Sequence, residues 1–273
     1  MKFGTLQGVL GEPLPEVFTV AKELGFDGVE LDWRDFSEAG EGGLLEANRR
    51  PDLREAAALA GVEISSVAAH FLNNGGLASP EPKHQQFGVQ AVRTGIELCR
   101  DLGAKVLLVP FFGNGEIEGE AGKERLIQNL QHLASKAEAD DVMLAIEHTL
   151  RGDEATALLH EVGSAYIGDY WDMANCMSLG YDPLTEIKSL KGHIAQVHAK
   201  EYDGSEVPAG ARPPRSYPGL NTKSFGEGQV PVRDVLAALR QVGYDGYVVL
   251  ETGAFGHHHK SARAALEHLN ASL

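Results

Sequence analysis

Eight short apolar runs alternate with eight longer amphipathic stretches along this chain, and that alternation limits its fold more than any other feature. The runs cover residues 2–7, 28–32, 63–68, 105–110, 142–147, 167–172, 194–198 and 247–251. Val106-Leu107-Leu108-Val109 has no polar interruption, as expected of a strand buried on both faces of a parallel sheet. The stretches between them, 14–24, 51–60, 83–102, 122–139, 153–162, 183–189, 231–242 and 260–269, carry helical spacing. Gly25, Gly61, Gly103 and Gly243 stand where a left-handed residue closes a helix before the next strand. Gly25-Phe26-Asp27-Gly28-Val29-Glu30 and Gly243-Tyr244-Asp245-Gly246-Tyr247-Val248 are near copies, which points to a repeated strand–helix module.

Eight such units in 273 residues predict an α/β chain folded as a single (β/α)8 TIM barrel, which typically takes roughly 250 residues. One domain is expected over 1–273, with a long loop after the seventh strand at about 201–229 that holds Pro208, Pro213, Pro214 and Pro218. A dinucleotide-binding open sheet would need Gly-x-Gly-x-x-Gly after its first strand, and Gly4-Thr5-Leu6-Gln7-Gly8 does not supply it.

The formal net charge is −15, from 24 Lys+Arg and 39 Asp+Glu, so the field repels phosphate backbones and no nucleic-acid partner is expected. Only Cys99 and Cys176 occur, which implies no disulfide framework and fits a reducing compartment. The start, Met1-Lys2-Phe3-Gly4-Thr5, reads as a strand rather than a signal peptide. No apolar run approaches the ~20 residues that span a bilayer. A cytoplasmic protein without a membrane partner is therefore expected.

Barrel enzymes place their chemistry at the C-terminal ends of the strands. Four successive strand ends offer Glu147, Asp172, His198 and Glu251. Each alone could cap a helix or make a core hydrogen bond. Together, three carboxylates converging on one rim are costly unless something positive neutralises them. Three oxygens and one nitrogen suit one divalent metal, Mg2+, Mn2+ or Co2+, and Zn2+ somewhat less; Mn2+ is the one expected first.

The motifs Ala145-Ile146-Glu147-His148, Trp171-Asp172-Met173-Ala174-Asn175, Val197-His198-Ala199-Lys200 and Leu250-Glu251 occur in that order over essentially the whole chain. In this the sequence resembles the xylose isomerase-like TIM-barrel superfamily, which includes sugar-phosphate isomerases and epimerases and deoxyribonuclease IV. The resemblance implies that the four residues bind one metal and that Glu147 and Glu251 also act as an acid/base pair. It implies isomerisation or epimerisation of a small sugar, keto-sugar or sugar phosphate through an enediolate. A dehydratase of the inosose or 3-dehydroshikimate kind is the alternative, because it shares the site. A deoxyribonuclease IV-like site is disfavoured, since Pro110, Asn175, Asn221 and Lys223 stand where further metal ligands are expected.

Further residues are expected to bind substrate. His70 resembles a family position that faces the site, with a core hydrogen bond as its alternative, and Asn175 stands where many relatives carry a histidine that contacts substrate. Lys200 shares the inward direction of His198 by strand alternation, so it could contact a substrate oxygen or balance a carboxylate. Asp153 reads either as a hydroxyl-binding residue or as a helix N-terminus residue. Arg212 and Arg215, within the long loop, could clamp a phosphate or remain solvated. Glu30, inside the second strand, is open between a site role and structural pairing. His257-His258-His259 reads as a helix entry, and a homo-oligomer is a further expectation.

Overall fold

In the computed structural model, residues 1–34, 43–205, 219–253 and 256–273 are described. Eight parallel strands close into a barrel in sequence order. They are β1 (Lys2–Leu6), β2 (Gly28–Asp32), β3 (Glu63–Ala68), β4 (Val106–Pro110), β5 (Met143–Glu147), β6 (Ile167–Asp172), β7 (Ile194–Ala199) and β8 (Tyr247–Leu250). The ring closes where β8 pairs with β1, Thr5 opposite Leu250. Each strand lies within a residue or so of the run expected for it, because a strand buried on both faces writes its apolar character directly into the sequence.

Helices wrap the outside: α1 (Gln7–Leu10), α2 (Glu16–Leu24), α3 (Arg50–Ala60), α4 (Pro82–Leu102), α5 (Gly119–Asp140), α6 (Gly152–Val162), α7 (Met173–Ser178), α8 (Pro183–Ser189), α9 (Val232–Gln241) and α10 (His258–Ala271). Gly25, Gly61, Gly103 and Gly243 all have positive φ, as their positions after α2, α3, α4 and α9 require. Two short helices, α1 and α7, leave no periodic signal in the sequence, since four and six residues are too few to show a 3.6-residue period. A cap makes α7 visible in retrospect. Asp172 closes β6 and its Oδ1 accepts the backbone N–H of Ala174 and Asn175, both at 2.7 Å.

Strand alternation divides the buried side chains between two regions. Val29, Leu31, Val67, Leu107, Val109, Leu144 and Ile146 point outward and join Phe18, Ile96, Leu126 and Leu239 of the helices in one core. Ala68, Val106, Leu108, Ala145 and Tyr170 point inward and fill the barrel. Helix α4 approaches closely at Gly88, where a Cβ would lie 2.9 Å from backbone atoms of Gly76 and Leu77. Among the described residues, no helix is long and apolar enough to cross a membrane.

Candidate functional site

The interior of a TIM barrel is normally packed with branched apolar side chains. Here the upper interior is polar instead: Glu30, Ser66, Gln196 and His198 are buried to 1% exposure or less. Alternation explains their company. Gln196, His198 and Lys200 are successive inward positions at the end of β7, and β6 offers Tyr170 and Asp172 in the same phase.

At the C-terminal rim, ligand atoms of Glu147, Asp172, His198 and Glu251 all lie within 4.8 Å of one another. Glu147 ends β5, Asp172 ends β6, His198 stands one residue before the end of β7, and Glu251 follows β8. His198 Nδ1 is 3.0 Å from Glu251 Oε2 and 3.7 Å from Glu147 Oε1. Lys200, only 10% exposed, places Nζ 2.7 Å from Glu251 Oε2 and 3.2 Å from Asp172 Oδ2.

These groups perturb one another. Burial raises the Glu147 carboxyl above its ordinary range, against the opposing pull of His198. Burial also works to raise Glu251, but Lys200 and His198 outweigh it and hold that carboxyl well below the usual range. For His198, burial works to lower the imidazole, while Glu251, Glu30 and Glu147 drive it well above its ordinary value.

The donor set fits a hard or borderline divalent cation. Asp172 Oδ2, His198 Nδ1 and Glu251 Oε2 are all buried without a hydrogen bond, although Lys200 is within ion-pair distance of two of them. Three such atoms aimed into one space, two of them met only by the charge of Lys200, are what a metal ligand set presents before the ion is counted.

Several expected residues surround this cluster. Asn175 donates Nδ2–H to Glu147 Oε1 at 2.9 Å, so it orients that carboxylate and has its Oδ1 left for another partner. His70 begins a turn of 3-10 helix after β3 and pairs through Nδ1 with Asp32 Oδ1 at 2.9 Å. Asp32 also receives Arg34. Burial works to lower His70, yet Asp32 and the charges of Glu251 and Glu30 raise it overall.

Others are not brought to the cluster. Asp153 lies in the first turn of α6 with a 67% exposed side chain, paired with Arg151 at 3.3 Å, which is the helix-entry geometry. His258 and His259 open α10 and bond Val9 O and Glu12. Arg212 and Arg215 lie outside the described residues, as does 206–218 of the long loop. The loop's described ends are tied by Glu201, which is wholly buried and accepts the N–H of Tyr202, Gly226 and Val230.

Asp32, Ser66, Tyr170 and Gln196 carry no motif that marks them as site residues. Their signal was a polar residue inside an apolar strand, such as Gln196 in Ile194-Ala195-Gln196-Val197. His148, next to Glu147 and facing the opposite way, donates Nε2–H to Asp169 Oδ2 at 2.8 Å, since its Nδ1 accepts from Leu150 N.

The family profile described as xylose isomerase-like TIM barrel matches residues 18–272. A 2-epi-5-epi-valiolone 7-phosphate 2-epimerase of Actinoplanes sp. is 33% identical over 224 residues, 81% of this chain and 75% of that protein. An L-ribulose-5-phosphate 3-epimerase of Salmonella heidelberg is 25% identical over 88% of this chain and 82% of its own length. A xylose isomerase domain protein from Planctomyces limnophilus superposes with a TM-score of 0.81 at 17% identity, covering 99% of this chain and 96% of that one. An L-ribulose 3-epimerase structure gives 0.80 at 17% identity, over 100% and 94%. The chain belongs to the xylose isomerase-like TIM-barrel family and is an enzyme of the isomerase class.

Proposed function

We propose that this chain is a divalent-metal-dependent epimerase acting on a small keto-sugar, free or phosphorylated. The observation that carries the reading is the cluster of Glu147, Asp172, His198 and Glu251, three of whose ligand atoms are buried without a hydrogen bond. Two curated relatives named as epimerases of phosphorylated substrates favour epimerisation over an aldose–ketose exchange.

Glu147, Asp172, His198 and Glu251 would hold the metal. A bound divalent ion supplies Lewis acidity, polarising a ketose carbonyl and its neighbouring hydroxyl and so acidifying the C–H bond between them. The protein's own work is proton transfer and orientation. Glu147 and Glu251 reach the same point from β5 and from the end of β8, so one removes the proton and the other returns it to the opposite face. Asn175 fixes the direction of Glu147 through its amide hydrogen bond. Lys200 and His70 would meet substrate oxygens, and Lys200 offsets the charge of Glu251 and Asp172. The preferred metal is Mn2+, which accepts mixed oxygen and nitrogen ligation.

The test is a panel of ketoses, keto-inositols and sugar phosphates incubated with protein and Mn2+ in D2O. The expected result is deuterium at one carbon next to the carbonyl of at least one panel member. No incorporation anywhere, with metal shown to be bound, would refute the proposal. A product that has lost water would move the enzyme to the dehydratase chemistry of the same site.

A further inference from the structure

Glu30, wholly buried in β2, is an interior carboxylate that stands outside the cluster of Glu147, Asp172, His198 and Glu251. Its hydrogen bonds have a direction that can be read from donor chemistry alone. Gln196 Nε2 lies 2.6 Å from Ser66 Oγ and 2.9 Å from Tyr170 Oη. An amide nitrogen only donates, so both hydroxyl oxygens accept from Gln196 and must send their own hydrogens elsewhere. The Ser65 hydroxyl, 3.3 Å from Ser66 Oγ, is much farther and the weaker acceptor; both hydrogens go to Glu30 Oε2, at 2.6 Å from Ser66 and 2.7 Å from Tyr170. With two hydrogens arriving, that oxygen is an acceptor only. The other oxygen, Oε1, lies 2.7 Å from His198 Nε2 and takes the N–H of the imidazole.

The consequence falls on the far side of the ring. Nε2 keeps its hydrogen on Glu30, so Nδ1 is the nitrogen that gives up its hydrogen to present a lone pair to a cation, and Nδ1 is the buried atom without a hydrogen bond that faces Glu147 and Glu251. We infer that Glu30 is a positioning residue for the metal centre: it selects the Nε2–H tautomer of His198 and holds the ring so that Nδ1 is a ligand. Ser66, Tyr170 and Gln196 enforce the direction of that hydrogen bond from β3, β6 and β7. This inference rests on the metal reading of the cluster proposed above.

A carboxylate behind a metal-bound histidine typically sets metal affinity by 10- to 100-fold. Glu30→Gln keeps the shape but brings a second amide into a network whose hydroxyls already accept from Gln196. If its oxygen faces His198, its NH2 meets two hydroxyls that have lost their acceptor. If its NH2 faces His198, the imidazole hydrogen moves to Nδ1 and the ligand lone pair is lost. Calorimetric titration with Mn2+, on variant protein shown by circular dichroism to be folded, should therefore give about 10- to 100-fold weaker binding than wild type.

A second measurement needs no variant. In the wild-type protein loaded with diamagnetic Zn2+, the 15N spectrum of His198 should show the hydrogen on Nε2 and the metal on Nδ1. A folded Glu30→Gln protein with wild-type Mn2+ affinity overturns the inference, and so does a Zn2+-bound His198 carrying its hydrogen on Nδ1. If the wild-type protein takes up neither metal, the metal reading itself fails; if wild type binds and Glu30→Gln binds as tightly, only the role of Glu30 fails.

Discussion

Lys200 is the residue whose removal most directly tests the electrostatics of the cluster. Its ammonium lies 2.7 Å from Glu251 Oε2 and 3.2 Å from Asp172 Oδ2, and its side chain is only 10% exposed, so water screens the pair little. Lys200→Met keeps most of the apolar stem and deletes the charge. Removing one member of a buried ion pair costs about 3–5 kcal/mol, because the remaining charges stay buried without compensation. In a chain of this size each kcal/mol moves Tm by roughly 2–4 °C, so the metal-free variant should melt roughly 6–20 °C below wild type. A divalent ion in the cluster supplies the missing positive charge. The loss in Tm should therefore shrink in saturating Mn2+. By linkage, the variant should then bind Mn2+ more tightly than wild type, since it stabilises the folded state by more. Scanning calorimetry of metal-free and Mn2+-saturated protein, with a calorimetric Mn2+ titration, reads both quantities. Equal Tm losses with and without metal, or weaker Mn2+ binding by the variant, would refute the reasoning.

Other consequences follow from single residues. Glu147→Gln and Glu251→Gln should each slow solvent deuterium exchange into substrate by about 10²- to 10⁴-fold, read by mass spectrometry under conditions where metal content is measured in parallel. The folded-state titration of His70 is raised above its ordinary 6.5 despite burial, chiefly through Asp32. Its contribution to stability is thus fully present below pH 6.5 and is lost as pH rises through the higher folded value. Asp32→Asn should move the NMR titration of His70 downward in the metal-free protein, and an unmoved midpoint would contradict the pairing. Gly88→Ala should destabilise by about 1–3 kcal/mol in urea unfolding, because its Cβ would meet backbone of Gly76 and Leu77 rather than a side chain able to turn aside.

The barrel was legible because its signal is local. Eight strands buried on both faces produce eight apolar runs, and glycine caps mark the helix ends between them. The four candidate ligands were legible for a related reason, since each sits at the end of a run where a barrel puts its working residues. Lys200 followed from alternation with His198. Asn175 was found as a site neighbour, but its hydrogen bond to Glu147 was not, because 28 residues separate the two in the chain. Asp153 was open in the sequence because a carboxylate at a helix start reads alike whether it faces a ligand or, as here, solvent and Arg151.

The sequence by itself determined the number and order of strand–helix units, the rim on which chemistry can occur, and which residue types reach it. That information is periodic, and periodicity survives in one dimension. Only the tertiary structure decided how those residues are held. Glu30 and His198 are 168 positions apart, and Tyr170 and Glu30 are 140 apart. Such pairs exist because closing the sheet brings β2, β3, β6 and β7 around one interior. A lone polar residue in an apolar strand announces that it has a partner; only ring closure says that the partner of Glu30 is the nitrogen opposite the one facing Glu147 and Glu251.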